Sequence, residues 1–310
     1  MAYLSLIAGL LLLVFSGDGL VKGSVQLSRH FKLSTLLVGL TVVAFGTSAP
    51  ELFVSVKAAY NGVPDLAIGN VVGSNIANIG LILGLVAIFM PISIMNRSIL
   101  RDWIVMMVAS LMLVYAVLNG NIGFFEGAVF VSFLVVYIVG SIYNSKRKKK
   151  LQSTFLPPTM RIWKALLYVV VAIVGLYFGA DLLVAGAREI ALTWGVSDRV
   201  IGVSLVAFGT SVPELVTSMV AMFRKENDIS VVKIIGSNIF NIWAVLGTTS
   251  LITPLPINDM NNVIFDIAIS LAFAVLLLVF MMPLRKGVIS RWKGGLLFTL
   301  YIVYIFFIFR

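Results

Sequence analysis

The chain is written almost entirely in apolar runs of membrane-crossing length. A helix needs about 20 apolar residues to traverse the hydrocarbon layer of a bilayer. Reading between polar breaks gives ten such runs, at about 3–24, 35–58, 66–90, 103–119, 124–143, 164–186, 199–223, 229–252, 263–283 and 294–309. Inside a bilayer the backbone must satisfy its own hydrogen bonds, so only helices or closed barrels span it. Barrel strands alternate apolar and polar residues, and these runs are continuous. The expected fold class is therefore an all-α integral membrane protein with ten transmembrane helices. Apolar residues make up 60% of the 310 and charged ones 12%, against about 45–50% and about 25% in a soluble domain. That balance, with a mean hydropathy of +1.07, excludes a soluble enzyme, a disordered chain and a nucleic-acid binder despite the net charge of +10. The first run lacks a basic leader and a small-residue cleavage site, so it reads as a retained helix rather than a signal peptide.

Basic residues set the orientation. Loops after odd-numbered helices carry 18 of the 23 Lys and Arg residues, with the densest run at Lys146–Lys150. Loops after even-numbered helices carry Asp65, Glu126, Glu189 and Asp198 instead. Both termini are expected outside and the 144–162 segment in the cytoplasm, which places the protein in the cell membrane as a multi-pass chain. The Lys146–Lys150 run is a topology signal, and lipid headgroups are its other available contact.

The chain also repeats itself. Adding 163 to a residue number maps Gly39–Glu51 (GLTVVAFGTSAPE) onto Gly202–Glu214 (GVSLVAFGTSVPE), and Gly73–Ile79 (GSNIANI) onto Gly236–Ile242 (GSNIFNI). Over 36–84 and 199–247, 21 of 49 aligned positions are identical. The division is a first five-helix repeat at 1–143 with its motif region at 39–84, a basic linker at 144–162, and a second five-helix repeat at 163–310 with its motif region at 202–247. Five spans per half is an odd number, so the second half enters the bilayer in the opposite sense. That is the inverted-repeat plan of secondary transporters, in which substrate sits at mid-depth between the repeats.

Within the repeats, Glu51 and Glu214 lie deep in apolar runs. A carboxylate at the bilayer centre costs at least ~2.5 kcal/mol and is normally paired or functional. Pro50 and Pro213 each lack an N–H and deprive the carbonyls of Gly46 and Gly209 of their helical partner, so each motif is expected to break or kink its helix. Thr47 and Glu51 are four apart, as are Thr210 and Glu214, which puts hydroxyl and carboxylate on one face. Ser48 and Ser211 add oxygens beside them. Ser74 with Asn78, and Ser237 with Asn241, repeat the spacing in the second motif. Asn75 and Asn238 suit interhelical hydrogen bonds, and Gly39, Gly46 and Gly73 suit either close packing or the site. With no Cys and one His in the chain, the donor set is all oxygen. It suits six- to eight-coordinate Ca²⁺ and also Na⁺. Two negative charges balance one Ca²⁺ or two Na⁺, and a third Na⁺ makes exchange voltage-sensitive.

GTSxPE followed by GSNxxN, present twice, resembles the cation/calcium exchanger superfamily, and is most similar to its prokaryotic sodium/calcium exchanger branch. The resemblance covers essentially the whole chain. It implies a secondary antiporter exchanging Na⁺ for Ca²⁺ by alternating access, electrogenic, with no covalent chemistry and no prosthetic group, working as a monomer in the lipid bilayer. It implies that Glu51 and Glu214 ligate both ions and that Thr47, Ser48, Thr210, Ser211, Ser74 and Ser237, with backbone carbonyls near Ala44 and Ala207, complete separate Na⁺ sites and one Ca²⁺ site. Helices one and six would slide as gates. Asn78 and Asn241 stand where some relatives carry Asp, which weighs against K⁺ co-transport. A H⁺-coupled Ca²⁺ exchanger and a cation channel remain as alternatives. Asp18 and Asp181 suit capping or loop contacts. Lys233, where the first repeat has Asn70, is expected to snorkel toward the cytoplasm; an inward course would set its charge against cation binding.

Overall fold

The computed structural model describes residues 2–94, 98–149, 157–193, 198–224, 227–282 and 287–308, with side chains omitted at 35–36, 94, 98, 146, 148–149, 198–208 and 227–230. Helices dominate: α1 (Ala2–His30), α2 (residues 35–47), α3 (Ala49–Tyr60), α4 (Pro64–Phe89), α5 (Ser98–Leu118), α6 (Phe124–Lys149), α7 (Ile162–Thr193), α8 (Asp198–Phe223), α9 (residues 227–252), α10 (Met260–Met281) and α11 (Arg291–Ile308). Among the described residues eight of these are long and apolar enough to cross a membrane, and the pair bent by 47° between α2 and α3 makes nine. The basic linker is partly helical, since α6 runs on to Lys149; residues 150–156, including Lys150, lie outside the described residues.

The enclosure of the helices follows from composition. α4 and most of α9 (Val231–Ile252) are surrounded on nearly all sides, while the other spans turn most of their surface outward. Their outward faces carry Phe15, Tyr115, Val136 and Phe306. A soluble chain would bury such a surface, whereas lipid tails accept it.

Two close packings depend on glycine. α1 and α7 lie side by side and antiparallel, with Gly9 against Gly179 and Leu183, and Gly23 against Ala165 and Val169. A Cβ on Gly9 would come within 2.5 Å of the Leu183 backbone nitrogen, so glycine is what lets these backbones approach. The second packing is exchanged between halves. Gly84 of α4 meets Gly294 and Phe298 of α11, and Gly247 of α9 meets Gly127 and Phe130 of α6. Four short strands, β1 (Ile92–Ile94), β2 (Asn121–Ile122), β3 (Leu255–Pro256) and β4 (Gly287–Ile289), pair antiparallel as β1 with β4 and β2 with β3. Each pair again joins one half of the chain to the other. Periodicity gave no sign of these strands, because two or three residues are too few to carry one.

The helix breaks are unequal. In the first half the chain bends at Ser48 (φ −85°, ψ 3°), so that Pro50 falls in the first turn of α3, where its missing N–H has no helical bond to lose. In the second half α8 stays helical through Pro213, so of the break or kink expected in each motif the break is seen in the first half. Both halves do widen into π-helical turns at offset positions, Asn78–Leu83 and Asn241–Leu246, a distortion that often accompanies functional sites.

Candidate functional site

The two motif regions meet across the halves. α3, which carries Glu51, packs against the widened turn at Asn241–Leu246, and α8, which carries Glu214, packs against the one at Asn78–Leu83. Glu51 and Glu214 are both buried and lie within electrostatic reach of one another. The Thr47 hydroxyl sits beside the Glu214 carboxylate. Its single proton goes elsewhere, to the carbonyls of Val43 (3.1 Å) and Ala44 (3.3 Å). The Ala44 carbonyl also accepts from the Ser48 N–H at 2.9 Å, so this expected carbonyl ligand already carries hydrogen bonds. Ala207 lies in α8 with its side chain outside the description.

Four amides tie the halves together at this level. Asn75 Nδ2 donates to the Asn238 carbonyl (3.4 Å), and Asn238 Nδ2 donates to the Asn75 carbonyl (3.3 Å). Asn78 Nδ2 donates to Asn238 Oδ1 (2.9 Å), and Asn241 Nδ2 donates to Asn75 Oδ1 (3.0 Å). The interhelical role expected for Asn75 and Asn238 is what they have. The same network turns the amide oxygens of Asn78 and Asn241 away from any donor.

Eight buried side-chain oxygens at the sequence-derived positions are left without a hydrogen-bond partner: Ser48 Oγ, Glu51 Oε2, Asn78 Oδ1, Ser211 Oγ, both carboxylate oxygens of Glu214, Ser237 Oγ and Asn241 Oδ1. Buried polar atoms are ordinarily paired, and an unpaired one costs about 1–3 kcal/mol. Unpaired carboxylate, amide and hydroxyl oxygens are the kind of donor a hard cation takes. Ser74, Thr47 and Thr210 are buried in the same motifs. Among the described residues no group of three or more acidic or His side chains converges anywhere, so the fixed negative charge comes from the two glutamates alone.

Lys233 contradicts the expectation of snorkelling. Its side chain is fully buried, and its Nζ donates to the Glu214 carbonyl (2.7 Å), to Ser218 Oγ (3.4 Å) and to Thr217 Oγ1. It also acts electrostatically on both Glu214 and Glu51. α9 is enclosed around this position, with Val231, Val232, Ile234 and Ile235 all buried beside it. Its first-half counterpart, Asn70, donates to the Glu51 carbonyl (3.2 Å) and to Ser55 Oγ (3.0 Å). The sequence did hold a signal. Under the offset of 163, Asn70 becomes Lys233 and Val54 becomes Thr217, two departures that touch one another. Asp18, by contrast, pairs with Lys22 (2.7 Å) and with Arg224 beyond the end of α8, a contact outside the site, and Asp181 is exposed.

The comparisons with known proteins follow this geometry. A family model described as sodium/calcium exchanger protein matches residues 1–143 and 164–310. The chain belongs to the sodium/calcium exchanger family. Among similar proteins, a putative antiporter CaxA from Alkalimonas amylolytica is 36% identical over 317 residues, covering 99% of this chain and 98% of that protein. The sodium/calcium exchanger MaX1 from Methanosarcina acetivorans is 29% identical over 346 residues, covering 99% and 98%. Solved structures of the sodium-calcium exchanger NCX_Mj superpose along the chain; the one soaked with zero Na⁺ and Ca²⁺ gives a TM-score of 0.82 at 34% identity, covering 98% of this chain and 97% of that one. The protein is a membrane-embedded transporter of the exchanger class, a cation/Ca²⁺ antiporter.

Proposed function

We propose that this exchanger moves Na⁺ against Ca²⁺ through one site shared by its two halves, by alternating access. The observation that carries the reading is that eight buried oxygens of the two motifs, three of them on Glu51 and Glu214, have no hydrogen-bond partner. Hard cations of Na⁺ and Ca²⁺ size are coordinated by carboxylate, amide, hydroxyl and carbonyl oxygens. Glu51, Glu214, Thr47, Thr210, Ser48, Ser211, Ser74, Ser237, Asn78 and Asn241 are the proposed side-chain ligands, with carbonyls near Ala44 and Ala207 beside them. A third Na⁺ per Ca²⁺ makes the cycle electrogenic.

The architecture proposed with it is ten spans in two five-helix repeats of inverted topology, both termini outside and the 144–162 segment in the cytoplasm, acting as a monomer in the cell membrane. The antiparallel α1–α7 pair supports it, since equivalent helices of inverted repeats must run in opposite senses. These two glycine-bearing helices are the proposed sliding gates. A channel would more naturally form a symmetric oligomer with one filter segment per subunit, whereas here one chain supplies both halves of the site.

Radiolabelled Ca²⁺ uptake into proteoliposomes loaded with Na⁺ or with K⁺ tests the reading. Uptake should require the outward Na⁺ gradient and rise when the membrane potential is clamped in favour of net charge movement. Ca²⁺ uptake that ignores the Na⁺ gradient but follows an imposed pH gradient would replace Na⁺ coupling with H⁺ coupling.

A further inference from the structure

Lys233 carries an inference that rests on the exchange reading and refines its selectivity. The Thr217 hydroxyl directs its proton to the Pro213 carbonyl at 2.6 Å, so toward Lys233 its oxygen can only accept. The Glu214 carbonyl likewise only accepts. With Ser218 as the third neighbour, three oxygens surround one nitrogen. That matches the three donors of an ammonium. None of these three bonds goes to a carboxylate oxygen, so the charge is added to the site without occupying the glutamates.

The first half shows that the hydrogen bonds alone do not need a charge. Asn70 makes the equivalent bonds to the Glu51 carbonyl and Ser55 with a neutral amide. The two halves therefore share a bracing contact and differ at it by one unit of positive charge, placed within reach of both glutamates. Two carboxylates and one ammonium leave a net of one negative charge, where two carboxylates alone would leave two.

We propose that Lys233 is a specificity-determining residue whose fixed charge weakens cation binding at the Glu51–Glu214 pair, and weakens divalent binding more than monovalent. Coulomb energy is proportional to the charge of the ion. Whatever factor Lys233 imposes on Na⁺ affinity, it imposes about the square of that factor on Ca²⁺ at the same position. The net charge moved per cycle is unaffected, because Lys233 does not cross the membrane; its effect falls on affinity and on the preference between ions.

The test is equilibrium binding of labelled Ca²⁺ and labelled Na⁺ to the purified full-length protein in lipid nanodiscs, comparing wild type with Lys233→Asn and Lys233→Arg. Lys233→Asn, which installs the residue of the first half, should tighten Ca²⁺ binding by about tenfold or more and Na⁺ binding by about the square root of that factor. Lys233→Arg should stay within about twofold of wild type for both ions, since it keeps the charge. Unchanged Ca²⁺ affinity in Lys233→Asn, equal tightening of both ions, or no Ca²⁺ binding by either protein overturns the inference. If Lys233→Asn does not fold, Lys233→Met, lacking both charge and donors, must show the same order of effects. Na⁺-driven Ca²⁺ uptake measured in parallel separates the two claims. Its absence from wild type overturns the exchange reading and leaves the binding comparison to judge Lys233, whereas its presence with unchanged variant affinities overturns the role of Lys233 alone.

Discussion

Among the described residues three carboxylates are buried, with different surroundings. Asp102 accepts through Oδ1 from Arg101 (2.9 Å) and from the Tyr137 hydroxyl (3.1 Å). Both oxygens of Glu214 and one of Glu51 have no such partner. Replacing Glu214 by Gln should reduce Na⁺-driven Ca²⁺ uptake to background. With cations removed, the variant should unfold at the same or a higher temperature than wild type, because an intramembrane charge that costs at least ~2.5 kcal/mol is gone. A thermal shift assay with uptake on the same preparation checks both halves of that expectation; a marked fall in stability would make Glu214 a structural residue. The glutamates were legible because charge in an apolar run is conspicuous and because the repeat shows it twice. The course of Lys233 was not. Position along a helix says how far a side chain is from the interface, but what turned this one inward, the Glu214 carbonyl with Thr217 and Ser218, belongs to another helix.

At the level of elements, the α1–α7 pair is where glycine decides the geometry. Gly186 faces the Ala2 carbonyl and the Leu6 nitrogen at 2.7 Å from where its Cβ would stand, and Gly9 faces Leu183 more tightly still. Enlarging such a position forces backbone apart, at a cost of about 1–3 kcal/mol for overpacking. Gly9→Val should therefore slow exchange by about tenfold or more while the chain still inserts and the ion affinities stay near wild type. Gly140→Ala, with nothing within 4 Å of the added carbon, is the matched control and should run at the wild-type rate. Unimpaired exchange by Gly9→Val would remove this pair from the gating step. Helix positions were readable in the sequence, since each helix overlaps one of the apolar runs. The different fates of the two prolines were not, because Pro50 and Pro213 sit in motifs alike but for one residue between Gly46 and Glu51, and the break depends on what packs around them. In the second half Thr217 donates to the Pro213 carbonyl where the first half has Val54.

For the molecule as a whole, the absence of Cys from the 310 residues makes orientation directly measurable. Asn61→Cys, in the exposed loop between α3 and α4, should react with a membrane-impermeant maleimide on intact cells. Arg147→Cys should react only after permeabilisation, because basic loops are as a rule the ones retained in the cytoplasm. The reverse pattern would invert the proposed topology. The strand pairings have a consequence for how such a chain is made. Ile94 finds its partner Gly287 only 193 positions later, and Asn121 waits for Pro256. Neither clasp can close until the ribosome has delivered most of the second half, so the early helices are made long before either strand pair can fasten them to their partners.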